Sequence, residues 1–544
     1  MKRLRFALLF NGNSLERWHL TCLDHLEHFA ELAGVIVAAD HRTLSAPAAS
    51  RLMRSYATRV THRSSVDVSE RFAHLRRLPA EGVWSPDAGR RFDFVLRLGS
   101  VSIPNHHFPT RHGVWYFEHE TSGDLLPFFR EVYDGEDVTS AALLGLDARG
   151  SGPTILEEGH FRTDRRSYIA GRDRITDSIA AWPGRVCRRL LAGAELDSGA
   201  RRRGETLEPA RPDRQLGFLR FRAAIARRDV DKAWERFFRH PQWNIGVLNV
   251  PVGELLAAGA YADGDIEWFP LDDREGFLAD PFGMVRDETL HILCEYFVYR
   301  EGRGQICSLD YSSVGFMRQL APALSLPGHT SYPFLLDVSS EIYCVPETSS
   351  ANEIALFRAI EFPRRWSKVA VLVEDFPGLD PTVFPHNGRW WLLCGRKGVQ
   401  DDAELWVWHA SDLIGPWTPH AQNPVKTDVR GARPAGPPFV HEGVLYRPAQ
   451  DCSRRYGWRI AVQRVLRLTP TEFAEEPVTL LEAAPQSPFP QGRHTLTSVG
   501  DVVLIDGHRF VFVWPVFRAF LRTWGADLAG KMRRQMTSLT PRRP

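Results

Sequence analysis

A chain of 544 residues is too long for one hydrophobic core, so two or more domains are expected. At 43% hydrophobic and 25% charged it has the composition of a soluble globular protein, and a net charge of +2 argues against a nucleic-acid or strongly acidic partner. No apolar run reaches the roughly 18 residues of a membrane-crossing helix. The first ten residues lack the long apolar region and small-residue cleavage site of a signal peptide. Seven cysteines, at 22, 187, 294, 307, 344, 394 and 452, are odd in number and form no CxxC pair. They read as reduced, mostly buried thiols of a cytoplasmic protein.

In chain order, residues 4–10 (LRFALLF) read as a buried strand and Asn11-Gly12-Asn13 as a turn. Residues 14–33 carry apolar positions near helical period, and 34–39 (GVIVAA) read as a second strand. Further strands are expected at 92–98 and 114–117. The β-turn-α-β order implies parallel strands and an α/β domain over 1–184. Residues 185–214 are rich in Arg, Gly and Pro and lose periodicity, which places the domain boundary there. Two helices are expected near 215–227 and 229–239, completing a linker over 185–242. From Trp243 to about 515 the pattern becomes short strands, with turns at Asp263-Gly264-Asp265, Glu301-Gly302, Asn387-Gly388 and Glu442-Gly443.

Five similar segments recur in that second region, opening at Leu278, Ser331, Leu379, Arg433 and Arg493. Four share a proline, at 281, 333, 381 and 434; Thr495 takes its place in the fifth. The steps of 52, 48, 53 and 61 residues suit a propeller of five blades, each with three or four strands. The opening of each inner strand borders the channel, so Asp280, Tyr332, Asp380, Arg433 and His494 should converge there.

Residues 1–182 resemble the formyltransferase/hydrolase family. The likeness rests on the strand-helix-strand start, on GVWYFEHE (113–120) and on the stretch from DLLPFF to GPTIL (124–156). It implies a fold built to act on methionyl-tRNA, nucleotide sugars or purine precursors with formyl-tetrahydrofolate. That chemistry needs an Asn and a His two residues apart, and an Asp to orient the His. Tyr116, Glu118 and Ser151 stand in those places, and His119 is one position off, on the opposite face of a strand. A structural or binding domain without formyl transfer is the expectation. His106, His107, His112 and His119 show no metal-ligand spacing and read as loop histidines.

Residues 243–515 resemble the five-bladed propellers of the arabinanase, levansucrase and invertase superfamily. Ala279-Asp280-Pro281, Asp380-Pro381-Thr382 and the run Ala410 to Trp417 (ASDLIGPW) carry that likeness. The region is also similar to the N-terminal domain of plant glucosamine inositolphosphorylceramide transferases, through Gln242 to Gly246, Trp268-Phe269-Pro270 and Phe277 to Phe282. The superfamily resemblance implies three acids around the pocket: a base or nucleophile, a sugar-orienting acid and a general acid. Asp280 matches the first and Asp380 the second. The third is missing, because Ala435-Gly436-Pro437 stands where Glu-Gly-Pro would be. Glu347 is the best replacement acid and Glu442 a weaker one.

Arg433 suits a phosphate or carboxylate on the ligand and would lower the pKa of nearby Asp residues. His494 suits a proton shuttle or a partner for a ligand hydroxyl. Bland alternatives stand beside each: Asp-Pro as a plain turn, His494 as a hydrogen-bonded channel residue, Glu347 as an ion-pair partner of Arg433. The Asp-x-Asp triplets at 229/231 and 263/265 are expected by chance. No phosphate-loop or dinucleotide fingerprint occurs, and neither metal nor cofactor is expected.

Residues 516–544 read as a basic amphipathic helix and tail, with Phe517, Phe520, Leu521, Trp524 and Leu528 on one face. Such a helix can lie on an anionic membrane or pack on its own protein. The functional expectation is glycosyl transfer on a sugar or glycolipid substrate in surface glycan or glycolipid synthesis. The alternatives are a non-catalytic glycan-binding scaffold and an amino-sugar formyltransferase.

Overall fold

The computed structural model describes residues 3–38, 49–78 (less 76), 91–101, 108–121 (less 109), 126–146, 152–194, 217–258, 263–271, 275–398 (less 313 and 318), 400–514 and 517–518. Ser151, His106, His107 and most of the expected C-terminal helix lie outside these residues. The chain divides into two compact units: 1–228 with 398–403 and 426–429, and the remainder from 229 on.

The first unit is built on a seven-stranded sheet. Its order is Arg77–Leu78, Ala30–Ala38, Leu4–Asn11, Phe94–Arg97, Val114–Phe117, Val138–Leu146, Pro153–Arg162. The first five strands are parallel and the last two antiparallel. Leu4–Asn11 lies inside the sheet, which is why it reads as an unbroken apolar run. The helix expected over 14–33 is only Arg17–Leu26. Residues from Ala30 pair with Leu4 onward instead, so ladder formation overrides the helical period of Ala30 and Ala33. The two helices expected before the propeller are one, Phe218–Phe238, since nothing between them breaks a helix.

The second unit is a five-bladed propeller. The first blade is Gly276–Arg286, Thr289–Val298, Arg303–Ser312 and Ala321–Leu324; the second is Ser331–Val338, Glu341–Glu347, Ile354–Glu361 and Arg365–Val373. The third is built on Gly378–His386, Arg389–Arg396 and Glu404–Ala410, the fourth on Phe439–His441, Val444–Asp451, Arg459–Leu468 and Phe473–Leu481. The fifth takes strands from both ends of the unit. Leu496–Val499 and Val502–Val511 pair on with His240–Leu248 and Ile266–Trp268. The ring is therefore closed by antiparallel pairing, which removes the unpaired edge an open array would keep.

Apolar residues fill the spaces between blades. Phe282, Phe334, Val345, Val383 and Leu392 pack in one such cluster, and Leu248, Ala435, Ile460, Leu496 and Ile505 in another. The inner hairpins turn on two residues with positive φ at Asp287-Glu288, Ser339-Ser340, Asn387-Gly388 and Glu442-Gly443. Such turns match the strand twist, yet only the last two pairs contain the glycine that makes the turn legible in sequence.

Candidate functional site in the propeller channel

Three of the five repeated segments share one backbone device. Asp280, Tyr332 and Asp380, each just before the shared proline, all have left-handed backbone, with φ of 51, 47 and 51°. At each, the pairing of the inner strand with its neighbour shifts register, at Ala279/Phe282, Ser331/Phe334 and Leu379/Thr382. Such a bulge re-aims a side chain and frees its backbone N–H from the ladder. The freed groups are met by carboxylates: Asp280 N–H donates to Asp506 Oδ2 (3.4 Å), Tyr332 N–H to Asp280 Oδ2 (3.2 Å) and Asp380 N–H to Glu347 Oε2 (3.3 Å). Asp tolerates this backbone; a bulky Tyr there is strained and must be held. Tyr332 is held at both ends, its hydroxyl 2.9 Å from Thr382 Oγ1 and accepting from Gly436 N–H at 2.7 Å.

Asp380 carries the strongest contacts. Arg433 Nε donates to its Oδ2 at 2.6 Å and Nη2 to Oδ1 at 3.4 Å, while Gln450 Nε2 reaches Oδ2 at 2.8 Å. Arg433 also lies over the Tyr456 ring, 4.9 Å from its centroid. The loop that presents Arg433 is braced by Arg447, which donates to the Gly431 carbonyl at 2.5 Å and pairs with Glu475 at 2.6 Å.

A second cluster surrounds Asp280. Thr495 Oγ1 donates to Asp280 Oδ1 at 2.7 Å, and His494 Nε2 lies 3.5 Å from the same oxygen. His494 Nδ1 is 2.5 Å from Asp506 Oδ2, and Asp506 Oδ1 accepts the backbone N–H groups of His494 and Thr495. Trp243 stacks on both His494 and His508, with ring centroids 4.0 and 4.7 Å apart. The ligand atoms of Asp280, His494 and Asp506 lie within 4.8 Å of one another, so this trio could also take a cation.

Burial sets the protonation of the ring. Burial, with Asp380 beside it, pushes Glu347 up to about 8. Burial pushes Asp280 up to about 6; His494 opposes and Asp380 and Asp506 add to the rise. At Asp280 desolvation and like charges therefore outweigh the opposing His494. Glu295, on the second strand of the first blade, is driven well above the usual carboxylate range by burial and by Asp280 and Glu347. His494 would be lowered by burial, but the carboxylates of Asp506 and Asp280 outweigh this and raise it. Asp506 is lowered despite burial, chiefly by His494 and the two backbone N–H donors.

Of the residues singled out in the sequence, Asp280, Asp380, Glu347, Arg433, His494 and Tyr332 are all buried in this ring. Glu442 is in the turn between Phe439–His441 and Val444–Asp451, with positive φ. Ala435, where the superfamily's acid would stand, is fully buried in the apolar cluster between blades.

Asp506, Glu295, Gln450, Thr495 and Trp243 were not singled out from sequence as site residues. Asp506 and Glu295 left a signal there, each being an acid inside an otherwise apolar strand (VVLID and HILCE).

In the first unit, Tyr116 lies within the strand Val114–Phe117, and Glu118 opens a short 3-10 turn. His119 is half-buried against Trp18, Phe117 and Phe128, and desolvation pushes it down to about 4. His19 Nδ1 accepts the Glu16 N–H, so Nε2 carries the proton toward Glu120, 2.6 Å away. A cavity of about 500 Å³ in this unit is bordered by Glu16, Arg17, Trp18, Arg63, Arg172 and Asp177, and Trp18 also packs on His19 and His119.

Residues 271–489 match the family model described as glucosamine inositolphosphorylceramide transferase 1, N-terminal. The protein of that name from Oryza sativa subsp. japonica is 38% identical over 212 residues, 38% of this chain and 28% of the relative. The Arabidopsis thaliana protein is 34% identical over 217 residues, with the same coverage. The matched stretch thus spans little more than a quarter of these relatives' length. Among solved structures, Zg3597, a family 117 glycoside hydrolase from Zobellia galactanivorans, aligns at 12% identity and a TM-score of 0.33, over 52% of this chain and 92% of its own. A thermostable family-43 glycoside hydrolase aligns at 13% and 0.31, over 42% and 85%. The propeller segment of this chain is therefore matched to the N-terminal domain family of glucosamine inositolphosphorylceramide transferase 1.

Proposed function

We propose that the propeller channel performs glycosyl transfer in the synthesis of a glycolipid or surface glycan. The observation that carries this reading is the pair of buried carboxyl groups, Asp280 and Glu347, displaced to about 6 and about 8 within one hydrogen-bonded ring. At neutral pH Glu347 keeps its proton while Asp280 is largely ionised. That is the division of labour glycosyl chemistry needs. Asp280 takes the proton of the acceptor hydroxyl as its oxygen bonds to the anomeric carbon. Glu347 protonates the departing oxygen as its bond to that carbon breaks. Asp380 orients the sugar, and Arg433 faces an anionic group of the donor. The family match through residues 271–489 supports a glycolipid acceptor. Seven buried cysteine thiols, none in a disulfide, support a reducing, cytoplasmic setting.

The test is Asp280→Asn in the cell that makes the glycan. A folded variant with full glycan output ends the catalytic reading. A second reading, glycan binding without turnover, is favoured by how fully Asp380 is engaged, by Arg433 and Gln450 together. Retained sugar binding by wild type and variant alike, without product, would select it.

A further inference from the structure

Glu347 is 5% exposed, and Asp380 and Arg433 beside it are buried as well. A carboxyl so enclosed that gives up a proton at each turnover needs a route by which the proton is replaced. Its hydrogen bonds mark one. Oε2 accepts the Asp380 backbone N–H at 3.3 Å, and Oε1 lies 2.9 Å from Ser349 Oγ. An amide N–H keeps its proton, whereas a hydroxyl can take a proton on a lone pair and give its own away. Ser349 Oγ has a second contact: Lys397 Nζ donates to it from 3.5 Å. Ser349 is 6% exposed, and Lys397 is open to solvent. Three side chains thus join the buried acid to the surface.

Local structure sets this line up. The strand Glu341–Glu347 ends at the acid, and the 3-10 turn Ser349–Ala351 follows at once. Thr348 Oγ1 donates to the Glu353 carbonyl at 2.7 Å. Asn352, in left-handed backbone, closes the turn by donating its N–H to the Ser349 carbonyl at 3.2 Å. The backbone therefore reverses just past Glu347, and the Ser349 hydroxyl comes back to its carboxyl. Lys397 follows the strand Arg389–Arg396 of the next blade, and its N–H is held by the Pro377 carbonyl at 3.0 Å.

The charged neighbours offer no competing line. Asp380 and Arg433 act on Glu347 in opposite senses, and Asp380 touches it only through the backbone N–H. Glu295 is a further acid near Glu347. His329 faces Lys397, which together with burial lowers it, and its Nδ1 accepts the Gly304 N–H at 2.9 Å.

We propose that Ser349 and Lys397 form the path by which Glu347 exchanges its proton with water. The use of that proton in glycosyl transfer rests on the reading above; the path itself does not. Once Glu347 is ionised, the Ser349 O–H bond breaks and its proton bonds to Glu347 Oε1. Ser349 Oγ takes a proton from the Lys397 ammonium in the same motion. The amine left on Lys397 is then protonated by hydronium or a buffer acid. One proton enters from solvent and reaches Glu347, and the two residues between end as they began.

The test uses the full chain without substrate. A photoacid drops the pH from above to below about 8, where Glu347 titrates. Time-resolved infrared spectroscopy then follows the Glu347 carboxyl band, identified by its loss in Glu347→Gln. Ser349→Ala and Lys397→Ala should each slow the appearance of the band by about tenfold or more. Ser349→Thr should keep the wild-type rate, and methylammonium in solution should restore it to Lys397→Ala. Neither rescue would follow from a change in packing. Lys397→Ala, at an exposed position, carries the test by itself should Ser349→Ala fail to fold. Asp280→Asn lies outside the path and should load Glu347 like wild type. Full glycan output from that variant would therefore end the catalytic reading and leave the path intact. Equal rates in wild type, Ser349→Ala and Lys397→Ala overturn the proposal, and so does a Glu347 band that does not change across the jump.

Discussion

Arg433 and Asp380, 53 residues apart in sequence, form a buried ion pair with Nε 2.6 Å from Oδ2 and both side chains at most 10% exposed. The pair couples the opening of the fourth repeat to that of the third, and it places the fourth blade's cation against the acid expected to orient a sugar.

Arg433→Ala leaves the Asp380 carboxylate buried with only Gln450 and its other neutral partners. A loss of about 3–5 kcal/mol in urea unfolding is expected, the cost of breaking a buried pair from one side. The double variant Arg433→Met/Asp380→Asn should recover most of it. A single variant as stable as wild type would show that the pair contributes little.

Tyr332→Phe removes the acceptor of the Gly436 N–H and the partner of Thr382 while keeping the ring. About 1–3 kcal/mol should be lost, the cost of an unsatisfied buried donor. Gly436→Ala should cost more, because at φ 130° an added Cβ would run into the Leu496 carbonyl oxygen. The two melting curves check the ranking.

Glu347, raised by burial to about 8, binds its proton more tightly in the folded chain than in the unfolded one, whose carboxyl titrates near 4.5. Its contribution to stability is therefore full below about 4.5 and is lost as pH rises through about 8. Asp280 acts in the same sense between about 3.8 and 6. Asp506, whose pKa is lowered, acts in the opposite sense and is lost in acid. Glu347→Gln should flatten the alkaline side of the stability profile. An unchanged slope between pH 6 and 8 would place the proton elsewhere.

Asp506→Asn removes the charge that holds His494 up while leaving an amide oxygen to accept the two backbone N–H groups. The imidazole should titrate at lower pH, followed by NMR of the ring protons. Product formation should fall more through turnover than through substrate affinity, because Asp506 acts through His494 and Asp280. Equal titration curves would mean that Asp280 alone sets His494.

Ala435→Glu restores the superfamily's acid by sequence position, but the structure turns that position into the core between blades. A buried, unpaired carboxyl there should destabilise by several kcal/mol without creating hydrolysis. Hydrolysis of an aryl glycoside by a folded variant would show that the side chain reaches the channel.

The amino-acid sequence by itself determined the number of blades and the place of each opening, because similar short segments recur about once per blade, three of them as the same strand-bulge-proline unit. It likewise determined the parallel α/β start, through the apolar run of Leu4 to Phe10. Local pattern could not decide where the first helix stops, since Ala30 and Ala33 fit a helix as well as the strand they join. Nor could it show that the fifth blade borrows His240–Leu248 from the other end of the unit.

The site divides in the same way. Asp280, Asp380 and Arg433 were legible because they occupy the repeated opening. Asp506, Glu295 and Gln450 come from second strands, whose approach to the channel depends on ring closure. Tertiary structure alone decided which carboxyls keep their protons, because desolvation and like-charge neighbours exist only once the five blades have closed.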